Sequence, residues 1–212
     1  MRSDMTGKTV LITGASAGLG KATAAELAAR GAQLELASLR SVRACAGKLE
    51  AEYPRINVLI NNAGLFPPML QKTEDGFEMQ IGVNHLGHFL LTNLLFDRLV
   101  ASAPARVVHV SSMMYAGGKL DFASFRGPAK YSAYAAYRQS KLANILSSNE
   151  LARRLAGRGV TSNSLHPGGV ATEIMRDAAL AMRARSPGSR SRRPRRARAR
   201  RCISRARARS RA

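Results

Sequence analysis

Three features of the sequence predict an α/β fold built on a three-layer, doubly wound parallel sheet. Short apolar runs rich in β-branched residues alternate with longer stretches of helical periodicity. Three of those runs end in small polar residues, at Thr13-Gly14, Asn61-Asn62 and Ser111-Ser112. The first run feeds directly into a glycine-rich turn that opens a helical pattern, the arrangement of a βαβ unit.

Thr9-Val10-Leu11-Ile12 reads as a strand buried on both faces. Gly18 to Arg30 has helical spacing, with Leu19, Ala22, Leu27 and Ala28 inward and Gly31 as the stop. Gln33 to Ala37 is a second strand and Ser41 to Glu52 a helix. Ile56 to Ile60 is a third strand, ending at the asparagine pair. Glu74 to Val100 reads as a long helix with a break near Gly82 or Gly87. Arg106 to Val110 is a fourth strand, Tyr134 to Gly157 a long helix, and Val160 to Leu165 a fifth strand.

The net charge of +21 is concentrated at one end. Residues 183–212 hold 14 arginines and no acid, which leaves the first 182 residues at +7. This last segment uses almost only Arg, Ala, Ser, Pro and Gly and has too little apolar surface to fold. The expected organisation is one domain over 1–182 and a disordered basic tail over 183–212. Such a tail binds phosphate, including nucleic acid, only non-specifically, and carries no aromatic residues for base stacking. Cys45 and Cys202 suggest neither a disulfide framework nor a metal site, and the four histidines lack ligand spacing with acids or cysteines. No signal peptide and no apolar run of spanning length is read, so a cytoplasmic protein without a membrane span is expected.

The chemistry centres on Tyr137-Arg138-Gln139-Ser140-Lys141. A tyrosine and a lysine four residues apart share one helix face. The preceding strand ends at Ser111-Ser112, so Ser112, Tyr137 and Lys141 converge if the helix packs on the sheet. In the first turn, Gly14, Gly18 and Gly20 permit a tight bend and close backbone approach, and the helix that follows offers free N–H groups to a pyrophosphate. By itself the turn is equally well a plain strand-to-helix connection. Asn61-Asn62-Ala63-Gly64 lies at the same, carboxyl edge of the sheet, where ligands of such folds bind, although the motif is also an ordinary turn.

Taken together, these segments resemble the short-chain dehydrogenase/reductase family, in particular its retinol-dehydrogenase-like branch. The likeness runs over about residues 7–176 and includes Thr13 to Gly20, Leu36 to Ser41, Val58 to Gly64, Thr73 to Gln80, Val83 to Phe89, Tyr137 to Asn144 and His166-Pro167-Gly168. The resemblance implies a Rossmann-like fold and hydride transfer between an alcohol or carbonyl and NADP or NAD. By the same likeness, Tyr137 is the acid/base, Lys141 lowers its pKa and binds the nicotinamide ribose, Ser112 holds the substrate oxygen, and Asn84 holds a relay water. The implied cofactor contacts are Gly14, Ser16, Gly18, Leu19, Gly20, Asn62, Ala63, Gly64, Tyr137, Lys141, Pro167, Gly168 and Thr172. The implied substrates are small and apolar, such as retinoids, steroids or other lipid-like carbonyls, and the implied assembly is a homodimer through the Tyr137–Lys141 helix.

The chain departs from that pattern twice. Gly31-Ala32-Gln33 runs straight into Leu34-Glu35-Leu36-Ala37-Ser38-Leu39, where the family has a further strand and helix. If the fused strand lies beside the first strand, Arg40 falls near the adenosine ribose and favours NADP, while Glu35 replaces the family's aspartate near the adenine. After Thr172-Glu173-Ile174 the family's substrate-covering helices and last strand give way to the arginine segment, so the fold is expected to be truncated. The tail's composition is what GC-rich DNA gives when read out of frame. Three functions stay open: an oxidoreductase, a catalytically impaired remnant, and a phosphate or nucleic-acid binder acting through the tail.

Overall fold

The computed structural model describes residues 5–15, 20, 29–32, 36–168 and 203–206. Its centre is a parallel sheet of four strands, β1 (Val10–Thr13), β3 (Val58–Asn61), β4 (Ala105–Val110) and β5 (Val160–Leu165), in the order β1-β3-β4-β5. Two further four-residue strands extend the β1 edge: β2 (Ala29–Ala32) lies outermost, and β6 (Ile203–Ala206) pairs antiparallel with both β2 and β1. The expected disordered tail falls mostly outside the described residues, and the four that are described form this strand. A sheet edge offers a row of unpaired N–H and C=O groups that any extended backbone can fill, whatever its side chains.

The second-strand expectation is corrected. A strand lies at 29–32, and of the strand expected over Gln33 to Ala37 the described Leu36-Ala37 form a turn, while 33–35 lie outside the described residues. β2 is also separated from β1 by β6 instead of lying beside it. Ala29 and Arg30, expected at the end of the first helix, belong to β2 instead, and residues 21–28 of that expected helix lie outside the described residues.

The remaining helices follow from local chemistry. Helix α1 (Leu39–Glu52) starts at Ser38, whose hydroxyl accepts from the Ser41 N–H, while the Asp75 carboxylate accepts from the Leu39 N–H at 2.8 Å. Val42, Cys45, Ala46 and Leu49 form its buried stripe. Helix α4 (Ala133–Arg154) is capped by the Ser132 hydroxyl and packs against β4 and β5.

The long helix expected from Glu74 begins only after Glu78. Gly76 sits at φ 78°, a left-handed conformation suited to glycine, and Thr73 closes a tight turn by exchanging backbone hydrogen bonds with Phe77 and Gly76. The buried Glu78 carboxylate then accepts from the N–H groups of Gln80 (2.9 Å) and Ile81 (2.8 Å), which opens the helical stretch. A π-helical turn follows at Ile81–Leu86, then α2 (Gly87–Leu94) and α3 (Phe96–Ala101). The interruption expected at Gly82 or Gly87 is this π turn, which spans the interval between them.

Strand alternation sorts the core. Leu11, Leu59 and Val107 meet Val42, Leu49, Leu91 and Leu99 of α1, α2 and α3 and Leu95 between the last two in one cluster, while Val10 and Ile12 form a second with Val58 and Ile60. All parallel strands run the same way, so Thr13, Asn61 and Val110 finish at one edge of the sheet, where the site lies.

Because Glu78 satisfies two buried N–H groups at once, Glu78→Ala leaves both without a partner. Urea unfolding should show this variant at least about 2 kcal/mol less stable than the wild type, with the far-UV spectrum retained.

Candidate active site

The site assembles where the end of β4 and the π turn meet the first half of α4. β4 ends at Val110, and Ser111 and Ser112 follow it. The Ser111 hydroxyl donates to the Lys141 carbonyl at 2.8 Å, which fixes α4 against the strand end. The Ser112 hydroxyl accepts from the Met114 N–H, capping a short 3-10 turn, and its side chain also bonds the Tyr137 phenol.

Tyr137 and Lys141 lie on one face of α4, and both are buried. The Lys141 ammonium stands 5.4 Å from the centre of the Tyr137 ring and donates to the Val110 carbonyl at 3.1 Å. Only 2% of Lys141 is exposed, and burial pulls its pKa down to about 8. Burial also pushes the Tyr137 phenol above its ordinary value, and the Ser112 hydrogen bond pulls it part of the way back. In this state the phenol is taken out of water, and the Lys141 ammonium donates to the Val110 carbonyl. Phe66 braces the tyrosine edge-on, its ring 5.2 Å from that of Tyr137 and 5.1 Å from that of Tyr134.

Asn84 occupies the middle of the π turn and is fully buried. Its side chain exchanges two hydrogen bonds with the backbone of Leu65, at 2.9 and 3.1 Å, and donates to the Ser140 hydroxyl at 3.2 Å. Its main-chain carbonyl accepts from the Asn144 side chain of α4 at 3.1 Å. Asn84, Tyr137 and Lys141, all buried, and the half-buried Ser112 are therefore held in one network with the Leu65–Phe66 loop.

Of the residues expected at a cofactor, Gly14, Asn62, Ala63 and Gly64 come together. Gly14 has φ 71°, and a Cβ there would lie 2.8 Å from the Ala63 Cα, so this approach of two loops requires glycine. The Asn62 side chain donates to the Thr13 carbonyl, and the N–H groups of Asn62 and Ala63 both donate to the Thr13 hydroxyl at 2.9 Å. Gly20 packs against Asn62 and Gly14. Pro167 and Gly168 follow the end of β5. Ser16, Gly18, Leu19 and Thr172 lie outside the described residues, as does Glu35.

Arg40 is placed differently from expectation. It sits in the first turn of α1, 90% exposed, with its guanidinium 3.8 Å from the Glu74 carboxylate. The strand meant to deliver it to the sheet edge lies instead at 29–32, with a turn intervening.

Sequence reasoning gave no role to Thr13, His88, Gln139 or Asn144. The signal for His88 and Asn144 was their helical spacing: His88 follows Asn84 by four residues and Asn144 follows Lys141 by three. Gln139 accepts from the Asp121 N–H and donates to Ser124, pinning the loop after Ser112 onto α4; only long-range folding brings these groups together.

The depressed Lys141 pKa gives a stability prediction. Between about 8 and 10.5 the unfolded chain binds this proton and the folded chain does not, so stability rises with pH there. Cys45 works in the opposite direction above its unfolded value of 9.0, because burial raises its folded pKa to about 11. From pH 8 to 9, denaturant unfolding should show a gain of up to about 1 kcal/mol, and Lys141→Met should abolish it.

The arrangement matches known proteins. The model of the short chain dehydrogenase family covers residues 32–182. Retinol dehydrogenase 14 of Mus musculus is 48% identical over 85% of this chain and 66% of its own length. Retinol dehydrogenase 13 of Homo sapiens is 46% identical, over 82% and 62%. The chain thus spans slightly less than two thirds of the curated relatives it matches. Among solved structures, an uncharacterised protein of Mycobacterium paratuberculosis is 44% identical with a TM-score of 0.57, over 71% of this chain and 54% of that one. The Pseudomonas aeruginosa RhlG/NADP complex is 26% identical with a TM-score of 0.53, over 71% and 58%. The aldohexose dehydrogenase of Thermoplasma acidophilum, at 23% identity and a TM-score of 0.66 over 87% and 75%, shares the fold. With its sheet, its glycine turn and its Tyr137–Lys141 helix in this arrangement, the chain belongs to the short-chain dehydrogenase family, on its retinol-dehydrogenase-like branch.

Proposed function

We propose that this protein is an NADP-dependent oxidoreductase that interconverts an apolar alcohol and its carbonyl, with a retinoid or similar lipid-like molecule as substrate. The observation that carries this reading is the convergence of the buried Tyr137 and Lys141 with the half-buried Ser112 at the carboxyl end of β4, in one hydrogen-bonded network. The substrate class follows the retinol dehydrogenases to which the chain is similar. NADP is favoured by the bound cofactor of the Pseudomonas aeruginosa neighbour and no longer by Arg40, whose partner is Glu74.

The described residues suit a dinucleotide. Gly14, Ala63 and Gly64 bring two strand ends together with almost no side-chain bulk, and the loop continues to Phe66, which packs on the Tyr137 ring beside Lys141. When bound, the nicotinamide supplies the hydride for carbonyl reduction and accepts it in the reverse direction.

The remaining steps belong to the chain. In reduction, the Ser112 hydroxyl donates to the substrate oxygen and stabilises the charge that develops there. Tyr137 donates its phenolic proton to that oxygen, and Lys141, when charged, stabilises the phenolate left behind. The high phenol pKa of the present state keeps the proton on Tyr137 until such charge is nearby. Asn84 holds the Leu65–Phe66 loop and Ser140, and through them the tyrosine ring and backbone. Phe66 and Tyr134 shield the proton-transfer groups from water.

Reduction of all-trans-retinal with NADPH by the full chain tests the reading. Tyr137→Phe should lower kcat at least about 100-fold, the contribution of a positioned acid, while NADPH binding changes little. Wild-type binding of NADPH without turnover of retinal or other apolar carbonyls would favour the impaired form instead.

A further inference from the structure

We infer that His88 is a positioning residue that ties the glycine turn at the end of β1 to the π turn carrying Asn84, so that the cofactor cradle and the proton-transfer groups keep a common register. The inference rests on the oxidoreductase reading above and extends it to a residue outside the Ser112–Tyr137–Lys141–Asn84 set.

His88 lies on α2, one helical turn after Asn84, and is buried. Its Nδ1 is 3.1 Å from the Asn84 carbonyl oxygen and its Nε2 is 2.7 Å from the Thr13 hydroxyl. These partners settle the proton positions. A carbonyl oxygen only accepts, so Nδ1 carries the hydrogen. Complete burial holds the His88 pKa down at about 3, so the ring is neutral and Nε2 is a bare acceptor. The Thr13 hydroxyl must therefore donate to Nε2. Its two lone pairs take the N–H groups of Asn62 and Ala63, and the hydroxyl is saturated.

The chain of bonds continues to the tyrosine. The Asn84 side chain donates to the Ser140 hydroxyl at 3.2 Å, and that hydroxyl donates to the Tyr137 carbonyl at 2.8 Å. Thr13, His88, Asn84, Ser140 and Tyr137 thus form a continuous path from the glycine turn to the helix that presents the phenol. A neutral imidazole suits the central place because a rigid ring donates at one end and accepts at the other. If His88 is lost, the Thr13 hydroxyl has only the Ile60 carbonyl, at 3.5 Å, as an alternative acceptor. The turn that carries Gly14 and the loop of Asn62 and Ala63 can then shift relative to Tyr137. Displacements of that kind are costly for a reaction that depends on alignment.

The test uses the full chain with His88→Phe, His88→Gln, Thr13→Val and the Thr13→Val/His88→Phe double variant. NADPH binding is titrated below each unfolding transition, and retinal reduction gives kcat and KM. His88→Phe should raise the NADPH Kd and lower kcat by about tenfold or more each, and His88→Gln should recover part of both. In the Thr13→Val background, His88→Phe should have little further effect on binding. Nitrogen-15 NMR of the wild type should show a neutral His88 with its proton on Nδ1, a readout that needs no variant to fold. A His88→Phe protein with a lower Tm but wild-type Kd and kcat would overturn the inference alone, as would an Nε2–H ring or fully additive losses. A wild-type chain that neither binds NADPH nor reduces any carbonyl would overturn the functional reading with it.

Discussion

The carbonyl of Asn84 is the point around which the site is organised. The π turn at Ile81–Leu86 presents this oxygen to Asn144 of α4 and to His88 of α2, each at 3.1 Å. A π turn departs from the regular i→i+4 ladder, and such turns recur where a helix must serve a ligand or a second element. Here the second element is α4. Asn144 also reaches the Val110 carbonyl, at 3.4 Å, and Lys141 donates to that same oxygen. The end of β4, the middle of the long helix and the π turn are therefore fastened to one another within a few ångströms.

A frame of this kind is demanding because it is buried. Polar groups taken out of water must find partners, and a partly satisfied network is worse than an apolar core. The groups that hold the site together are matched donor to acceptor, while Asn61 Oδ1, Gln80 Oε1, His109 Nε2 and the Tyr134 hydroxyl are buried without a partner. Thr13 uses its full capacity, Glu78 takes two N–H groups, and the Asn84 side chain is paired at both ends. The cost appears in the ionisable groups: Lys141, His88 and Tyr137 are all shifted toward their neutral forms, by burial first of all. A neutral tyrosine that ionises only beside positive charge suits a site where charge develops during reaction.

Much of this was legible in the sequence where the signal is local. The strands at Val10, Val58, Ala105 and Val160 follow from short β-branched runs, and α1 and α4 from helical stretches between turn residues, although their Ser38 and Ser132 caps emerge only in the structure. The Tyr137–Lys141 spacing gave a shared helix face, and the serine pair gave a strand end. The errors fell where local signals compete with pairing. Leu34 to Ala37 has the composition of a strand, yet Leu36-Ala37 turn and the pairing lies at 29–32. Thr73 to Phe77 has helical composition, yet Gly76 and the Thr73 turn delay the helix until a buried carboxylate can open it.

By itself the sequence determined the fold class, the order of the parallel strands' motifs and the four residues that meet at the end of β4. The fold class, Ser112, Tyr137 and Lys141 depend on spacing within one element or on the shared direction of parallel strands, whereas Asn84 was reached through the family resemblance. Only the tertiary structure decided the placement of β6 beside β1, the pairing of Arg40 with Glu74, and the joining of Thr13, His88, Asn84 and Ser140 into a path to Tyr137. The path to Tyr137 joins residues up to 75 positions apart, and the pairing of β1 with β6 joins opposite ends of the sequence. No periodicity encodes such contacts; they exist because buried donors and acceptors must be satisfied by whatever the packed chain brings within reach.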